Sequence, residues 1–207
     1  MATLVKICGL STAATLDAAI AGGASHVGFV FFAKSPRNLA LDAAAALAAR
    51  VPAGVRTVAV VVDPDRAWLD ELRARVRIDA VQLHGHETPS FAAALGGEVW
   101  KALAIRTRAD LGAAAAWRGA ARRLIYDAQT PAGTLPGGMG LRFDWGLLDG
   151  FAHPLPWGLS GGLDADNVAE AIRATGAPMV DVSSGVERAP GVKDVDKIAA
   201  FLQAARS

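Results

Sequence analysis

Apolar positions along the chain fall into two alternating patterns. Short runs rich in β-branched residues read as strands, and longer Ala/Leu stretches read as helices. The strand runs are Leu4–Cys8, His26–Phe31, Arg56–Val62, Asp79–Leu83, Glu98–Ile105, Leu124–Asp127, Leu155–Ser160 and Met179–Ser183. Helices are predicted from Ser11 or Thr12 to Gly22–Gly23, over Leu41 to Arg50, from Asp65, over Thr88 to Leu95, and from Lys193 or Asp194 to the C-terminus. Ser11, Asp63, Thr88, Thr107, Asp164 and Asp194 are the expected helix caps, and Gly22 and Gly176 the expected stops.

The strand–helix beat is about 25 residues long and recurs eight times, which predicts a parallel sheet covered by helices. Eight beats favour closure into a (β/α)₈ TIM barrel with a parallel eight-stranded sheet over an open doubly wound one. No composition shift marks a linker, so residues 1–207 read as a single domain.

This architecture predicts the position of a site. In such barrels, function gathers at the C-terminal ends of the strands. Polar and glycine-rich residues follow the predicted strands: Cys8–Gly9, Ser35–Pro36–Arg37, Asp63, His84–Gly85, Asp127, Ser160–Gly161–Gly162 and Ser183–Ser184–Gly185.

Composition narrows the function. Apolar residues make up 52% of the 207 residues, enough for a large core, and the formal net charge is +1. No basic stripe asks for nucleic acid or an anionic membrane. Arg73, Arg75, Arg77, Arg122 and Arg123 read as solvated helix faces or strand entries. A single cysteine forms no internal disulfide, no leader pattern opens the chain, and no apolar run has membrane-spanning length. The expected location is the cytoplasm. The Ala-rich runs at Ala43–Ala49 and Ala113–Ala116 read as helix filler.

Two loops point to phosphate. Ser160-Gly161-Gly162 and Ser183-Ser184-Gly185 fall after the seventh and eighth strands, where barrels commonly hold one. Glycine allows close backbone approach, and the exposed N–H groups suit an anion. The segment Gln129 to Gly140 is long and rich in Gly and Pro, which marks a lid, a binding loop or disorder. Its Pro136-Gly137-Gly138-Met139-Gly140 lacks the Gly-Lys-Ser/Thr ending of a nucleoside-triphosphate loop.

Four further residues carry candidate chemistry. Cys8 alone would be a buried apolar filler, but it ends the first strand at the functional mouth. Lys6, two residues earlier, shares its face; it either favours the thiolate or pairs with a carboxylate elsewhere. Asp127 closes an apolar strand, which suits a general acid of raised pKa or an ion pair or cap. Arg37 can hold an anion bidentately. His84 and His86 lack zinc-ligand spacing, and no metal site is expected.

Taken in order, these motifs resemble the phosphoribosylanthranilate isomerase family. The resemblance rests on Lys6-Ile7-Cys8-Gly9-Leu10, Gly28-Phe29-Val30-Phe31 with Ser35-Pro36-Arg37, and Val81-Gln82-Leu83-His84-Gly85 with Glu87. It continues through Asp127, Gly137-Gly138-Met139-Gly140, Phe143-Asp144-Trp145 and Leu159-Ser160-Gly161-Gly162-Leu163 with Asn167-Val168. Asp181-Val182-Ser183-Ser184-Gly185-Val186-Glu187, Gly191 and Lys193-Asp194 complete it.

The resemblance implies an isomerase of tryptophan biosynthesis that performs an Amadori rearrangement without a cofactor. It implies Cys8 as general base and Asp127 as general acid. Arg37 is then an arginine near the anthranilate part, Asp181 a further polar residue of the site, and Gly161, Gly162, Ser184 and Gly185 the phosphate binders. The implied partner is a small phosphorylated substrate, with a monomeric or homodimeric protein and no nucleic acid or membrane. Met139 departs from the Thr or Ser expected there, which leaves only a backbone role for that position. Indole-glycerol-phosphate synthase, a related barrel, needs a catalytic lysine–glutamate constellation. A dual-substrate isomerase pairs two aspartates, and Cys8 takes the place of the first. A non-catalytic phosphate-binding barrel is the remaining alternative, and the presence of both Cys8 and Asp127 argues against it.

Overall fold

The computed structural model describes residues 2–131 and 137–206. Eight parallel strands close into a barrel in sequence order. They are β1 (Leu4–Cys8), β2 (His26–Phe31), β3 (Arg56–Val61), β4 (Ala80–Leu83), β5 (Val99–Ile105), β6 (Arg123–Ala128), β7 (Trp157–Leu159) and β8 (Met179–Val182). β1 pairs with both β2 and β8, which closes the sheet. The predicted strands all form, most of them trimmed at one end or both.

Among the described residues, six α-helices cover the outside: α1 (Ala13–Ala21), α2 (Leu41–Ala48), α3 (Arg66–Arg75), α4 (Pro89–Leu95), α5 (Val168–Thr175) and α6 (Val195–Ala204). Local chemistry sets their ends. Thr12 accepts from Thr15 N, Thr88 from Phe91 N, and Asp194 from the amides of Asp196 and Lys197. Gly176 ends α5 in the left-handed conformation.

Several caps differ from expectation. Thr12 caps α1 in place of Ser11, and Asp65 caps α3 by accepting from Trp68 N. Asp63 instead adopts φ 45° in the loop and accepts from the His86 amide. Asn167 precedes α5, while Asp164 braces the preceding turn by accepting from the amides of Asp166 and Asn167.

Two crossovers depart from the α-helical beat. The Ala113–Ala116 run lies in a 3₁₀ helix, Arg108–Trp117, which the Thr107/Asp110 capping box starts. After β6 only a short 3₁₀ turn, Trp145–Leu148, precedes β7 among the described residues. Positions 132–136 of the predicted glycine-rich loop, Pro136 included, lie outside the described residues. A two-stranded antiparallel ribbon after β8, unforeseen in the sequence, pairs β9 (Glu187–Ala189) with β10 (Val192–Lys193). Lys193 therefore belongs to this ribbon, not to the start of α6.

Two apolar layers hold the barrel. The larger lies between strands and helices, where Ile7, Phe29, Leu83, Tyr126 and Phe201 are buried. A separate cluster of Val58, Ala80, Trp100, Ala102, Ile125 and Met179 also packs together. These residues sit at alternate positions to the outer set along the strands, and so fill the barrel interior below the mouth. Arg123, at the entry of β6, is not fully solvated: its guanidinium lies 5.2 Å from the centre of the Trp100 ring. No helix among the described residues is long and apolar enough to cross a membrane.

Candidate active site

The barrel brings Cys8, Arg37, Asp127 and Asp181 to one cavity, which Gln82, His84, Ser160 and Ser183 also line. The residues come from widely separated parts of the chain, and the closed sheet alone gathers them. Cys8 stands at the end of β1 and Asp127 near the end of β6.

Cys8 shares its strand face with Lys6, and parallel pairing puts Lys6 in register with Asp181 on β8. The Lys6 ammonium donates to Asp181 Oδ2 at 2.8 Å, fully shielded from solvent. Of the two readings of Lys6, the structure contains the pair with a carboxylate; the same ammonium also flanks the thiol. Burial pulls the Lys6 ammonium down, but Asp181 and Cys8 outweigh this and hold it above the ordinary lysine range. Burial pushes the Cys8 thiol up, with Lys6 and Lys193 opposing and Asp181 reinforcing the rise. The neighbouring cation thus opposes the rise without reversing it.

Room for this arrangement comes from the adjacent strand. Gly28 pairs with Cys8, and a Cβ there would meet Cys8 Sγ at 3.0 Å and Lys6 Cε at 3.1 Å.

Asp127 is buried, with two distinct contacts. Its Oδ1 accepts from the Ala128 amide at 2.9 Å, and its Oδ2 lies 3.2 Å from His84 Nε2. His84 follows β4 and reaches across the mouth to the carboxylate. Of the two alternatives to an acid, the structure contains the side-chain pair and not a helix cap.

Arg37 lies at the same cavity, but two of its nitrogens are engaged. Nε and Nη2 donate to the two oxygens of Glu187, each at 2.7 Å, and Nη2 also donates to Gly138 O. The anion held bidentately is thus a carboxylate of the protein itself. Lys193 donates to the same Glu187 at 2.8 Å and to Ser183 O at 2.8 Å. Burial opposes the Glu187 charge, yet Arg37 and Lys193 hold its carboxyl below the usual range. The ribbon thereby ties the loops after β2, β6 and β8 together.

A second cavity adjoins the first, sharing Asp127, Gly137, Gly138, Ser160, Asp181 and Ser183. Gly161, Gly162 and Ser184 line it, as does the segment Gly137–Gly140. Gly161 has φ 88°, and a Cβ there would lie 2.6 Å from the Ala128 amide nitrogen. No other residue type fits so close to β6 in that conformation. Gly185 is not a lining residue; it packs against Leu163 O and joins the loops after β7 and β8. Asn167 fastens the first of these loops by donating to Gly162 O at 2.9 Å.

His84, Glu187 and Lys193 were not recognised as parts of the site from the sequence. Their signal was position: each lies within a motif quoted above. Among the described residues, no group of three or more His, Cys, Asp or Glu side chains converges as a metal site would.

Residues 5–204 match the family model described as N-(5'-phosphoribosyl)anthranilate (PRA) isomerase. The chain is 52% identical over 211 residues to the N-(5'-phosphoribosyl)anthranilate isomerase of Zymomonas mobilis subsp. pomaceae, covering 100% of this chain and 99% of the relative. It is 53% identical to that of Rhodospirillum centenum, covering 99% of each. Among solved structures, phosphoribosyl anthranilate isomerase from Thermotoga maritima superposes with a TM-score of 0.89 at 33% identity, covering 98% of both chains. Another isomerase structure, in complex with reduced 1-(o-carboxyphenylamino)-1-deoxyribulose 5-phosphate, gives a TM-score of 0.85 at 32% identity, again covering 98% of both. With sequence and fold in agreement along nearly the whole chain, the protein belongs to the N-(5'-phosphoribosyl)anthranilate isomerase family.

Proposed function

We propose that the chain performs its family's isomerisation of N-(5'-phosphoribosyl)anthranilate by general acid–base catalysis, with Asp127 as acid and Cys8 as base. The reaction is an intramolecular redox change: C1 is reduced as C2 is oxidised. Asp127 gives a proton to the ring oxygen, the C1–O bond breaks, and the anilino nitrogen supplies the electron pair that forms the iminium. That cation acidifies the C2 proton, which Cys8 removes to give an enolamine. A proton then adds at C1 and another leaves the C2 hydroxyl, giving the ketone.

The observation that carries this reading is the placement of Cys8 and Asp127 in one cavity, with a second, glycine- and serine-lined cavity beside it. The second cavity suits the phosphate, through Gly161, Gly162 and Ser184, with Gly185 holding the two loops in place. The iminium formed in the first step is itself a cation close to Cys8. It draws the thiol toward the thiolate at the moment a base is needed. Asp181, between Lys6 and both cavities, and Arg37, at the outer side, serve as substrate contacts.

The test follows loss of phosphoribosylanthranilate fluorescence with purified protein and no added metal. First-order decay catalysed by the protein, and its loss in Cys8→Ala and Asp127→Asn, is the expected result. No decay above the buffer rate would leave a phosphate-binding barrel in its place.

A further inference from the structure

Gln82 projects from β4 into the cavity that holds Cys8 and Asp127 and is 1% exposed. Its Oε1 is buried without a hydrogen-bond partner, and its amide nitrogen makes no hydrogen bond to a described residue. In register it pairs with Val60 on β3 and Trp100 on β5, and the Trp100 indole N–H already donates to Glu98.

A buried amide without partners is destabilising, and an apolar side chain of similar length would fill the same volume without that cost. The interior below the mouth is filled in that way, by Val58, Ala80, Trp100, Ala102, Ile125 and Met179. Gln82 is a position where the barrel gives up that solution, at the floor of the reacting cavity, and unlike Lys6 and Asp181 it is not paired.

The geometry points to Gln82 as a substrate-contacting residue whose amide holds a hydroxyl of the ribosyl chain beside the reacting carbons. This rests on the isomerase reading above. The orphan atom is an acceptor, so its complement is a donor. The phosphate and the carboxylate of the substrate bring no donor at neutral pH. A hydroxyl both donates and accepts, and so answers both ends of the amide. A second unpartnered acceptor in the same cavity, Asp181 Oδ1, has the same need, which a polyhydroxylated substrate meets twice.

Gln82→Met and Gln82→Leu in the full chain test the assignment, by steady-state kinetics on phosphoribosylanthranilate alongside thermal melting. The expected result is a fall in kcat/KM of at least about tenfold with a Tm equal to or above that of the parent. A filler role would not separate the two readouts in this way. Unchanged kcat/KM with a raised Tm overturns the proposal. So does a fall in Tm with an activity loss that vanishes once rates are scaled to folded protein. Parent activity is measured first: its absence would overturn the isomerase reading and this inference with it, whereas an active parent with unaffected variants overturns the inference alone.

Discussion

Lys6 and Asp181 form an ion pair of 2.8 Å inside the barrel, joined side by side by the pairing of β1 with β8. Removing one partner strands the other charge away from water. Lys6→Met is expected to cost about 3–5 kcal/mol, and Lys6→Met combined with Asp181→Leu to recover much of that loss. Urea unfolding of the three proteins measures the difference. The folded-state rise in the Lys6 pKa gives the pH dependence. The stabilisation is complete below the ordinary lysine value of 10.5 and is lost as pH climbs through the raised folded value.

Cys8→Ala and Asp127→Asn should each lower turnover by about 10²–10⁴-fold while leaving the melting curve close to the parent's. Near-normal turnover in either would remove that residue from the mechanism. Because burial raises the Cys8 thiol, its alkylation by iodoacetamide is expected to be slow at neutral pH and to accelerate above pH 9, the ordinary thiol value. Rapid alkylation at pH 7 would show a preformed thiolate.

Glu187→Ala leaves Arg37 and Lys193 without their shared carboxylate. The expected loss is about 3–5 kcal/mol of stability, with a rise in KM as the loops it ties together loosen. Kinetics together with chemical denaturation reads both. The Glu187 pKa is depressed, so its stabilisation is present above 4.5 and is lost as pH falls through the lower folded value.

His26 gives an acid-side prediction of its own. It is buried against Trp100, and burial together with Arg123, Arg56 and Lys6 pushes its pKa down to about 3, with Asp79 opposing. A depressed histidine is neutral in the folded protein and protonated in the unfolded chain at mildly acid pH. Its contribution is fully present above pH 6.5 and falls away by about 1.4 kcal/mol per pH unit toward pH 3. His26→Phe should flatten the part of the acid-unfolding profile between pH 6 and 4, measured by urea midpoints.

The barrel was legible because each strand is a short apolar run bounded by turn residues, and the eight-fold beat left closure as the simplest sheet. The caps at Thr88 and Asp194 were legible for the same local reason. The alanines of Ala113–Ala116 mark helix without its kind, because alanine propensity does not distinguish an α-helix from a 3₁₀ turn. The ribbon from Glu187 to Lys193 escaped because its strands are only three and two residues long.

At the site, the strand-end residues Cys8, Arg37, Asp127 and Asp181 were legible because a barrel sends such residues to one place. Their partners were not. Glu187 lies 150 positions from Arg37, and Asp181 lies 175 from Lys6. Only the closing of the sheet makes them neighbours.

Gly28 carries a consequence of a different kind. The spacing of thiol and ammonium is governed by the strand next door, through a side chain that strand does not have. One added methyl group at position 28 would meet Cys8 Sγ and Cα and Lys6 Cε at 3.0–3.1 Å, so these neighbours must give by a few tenths of an ångström. The setting of the Cys8 thiol thus rests on an atom that position 28 lacks as well as on the charges around it.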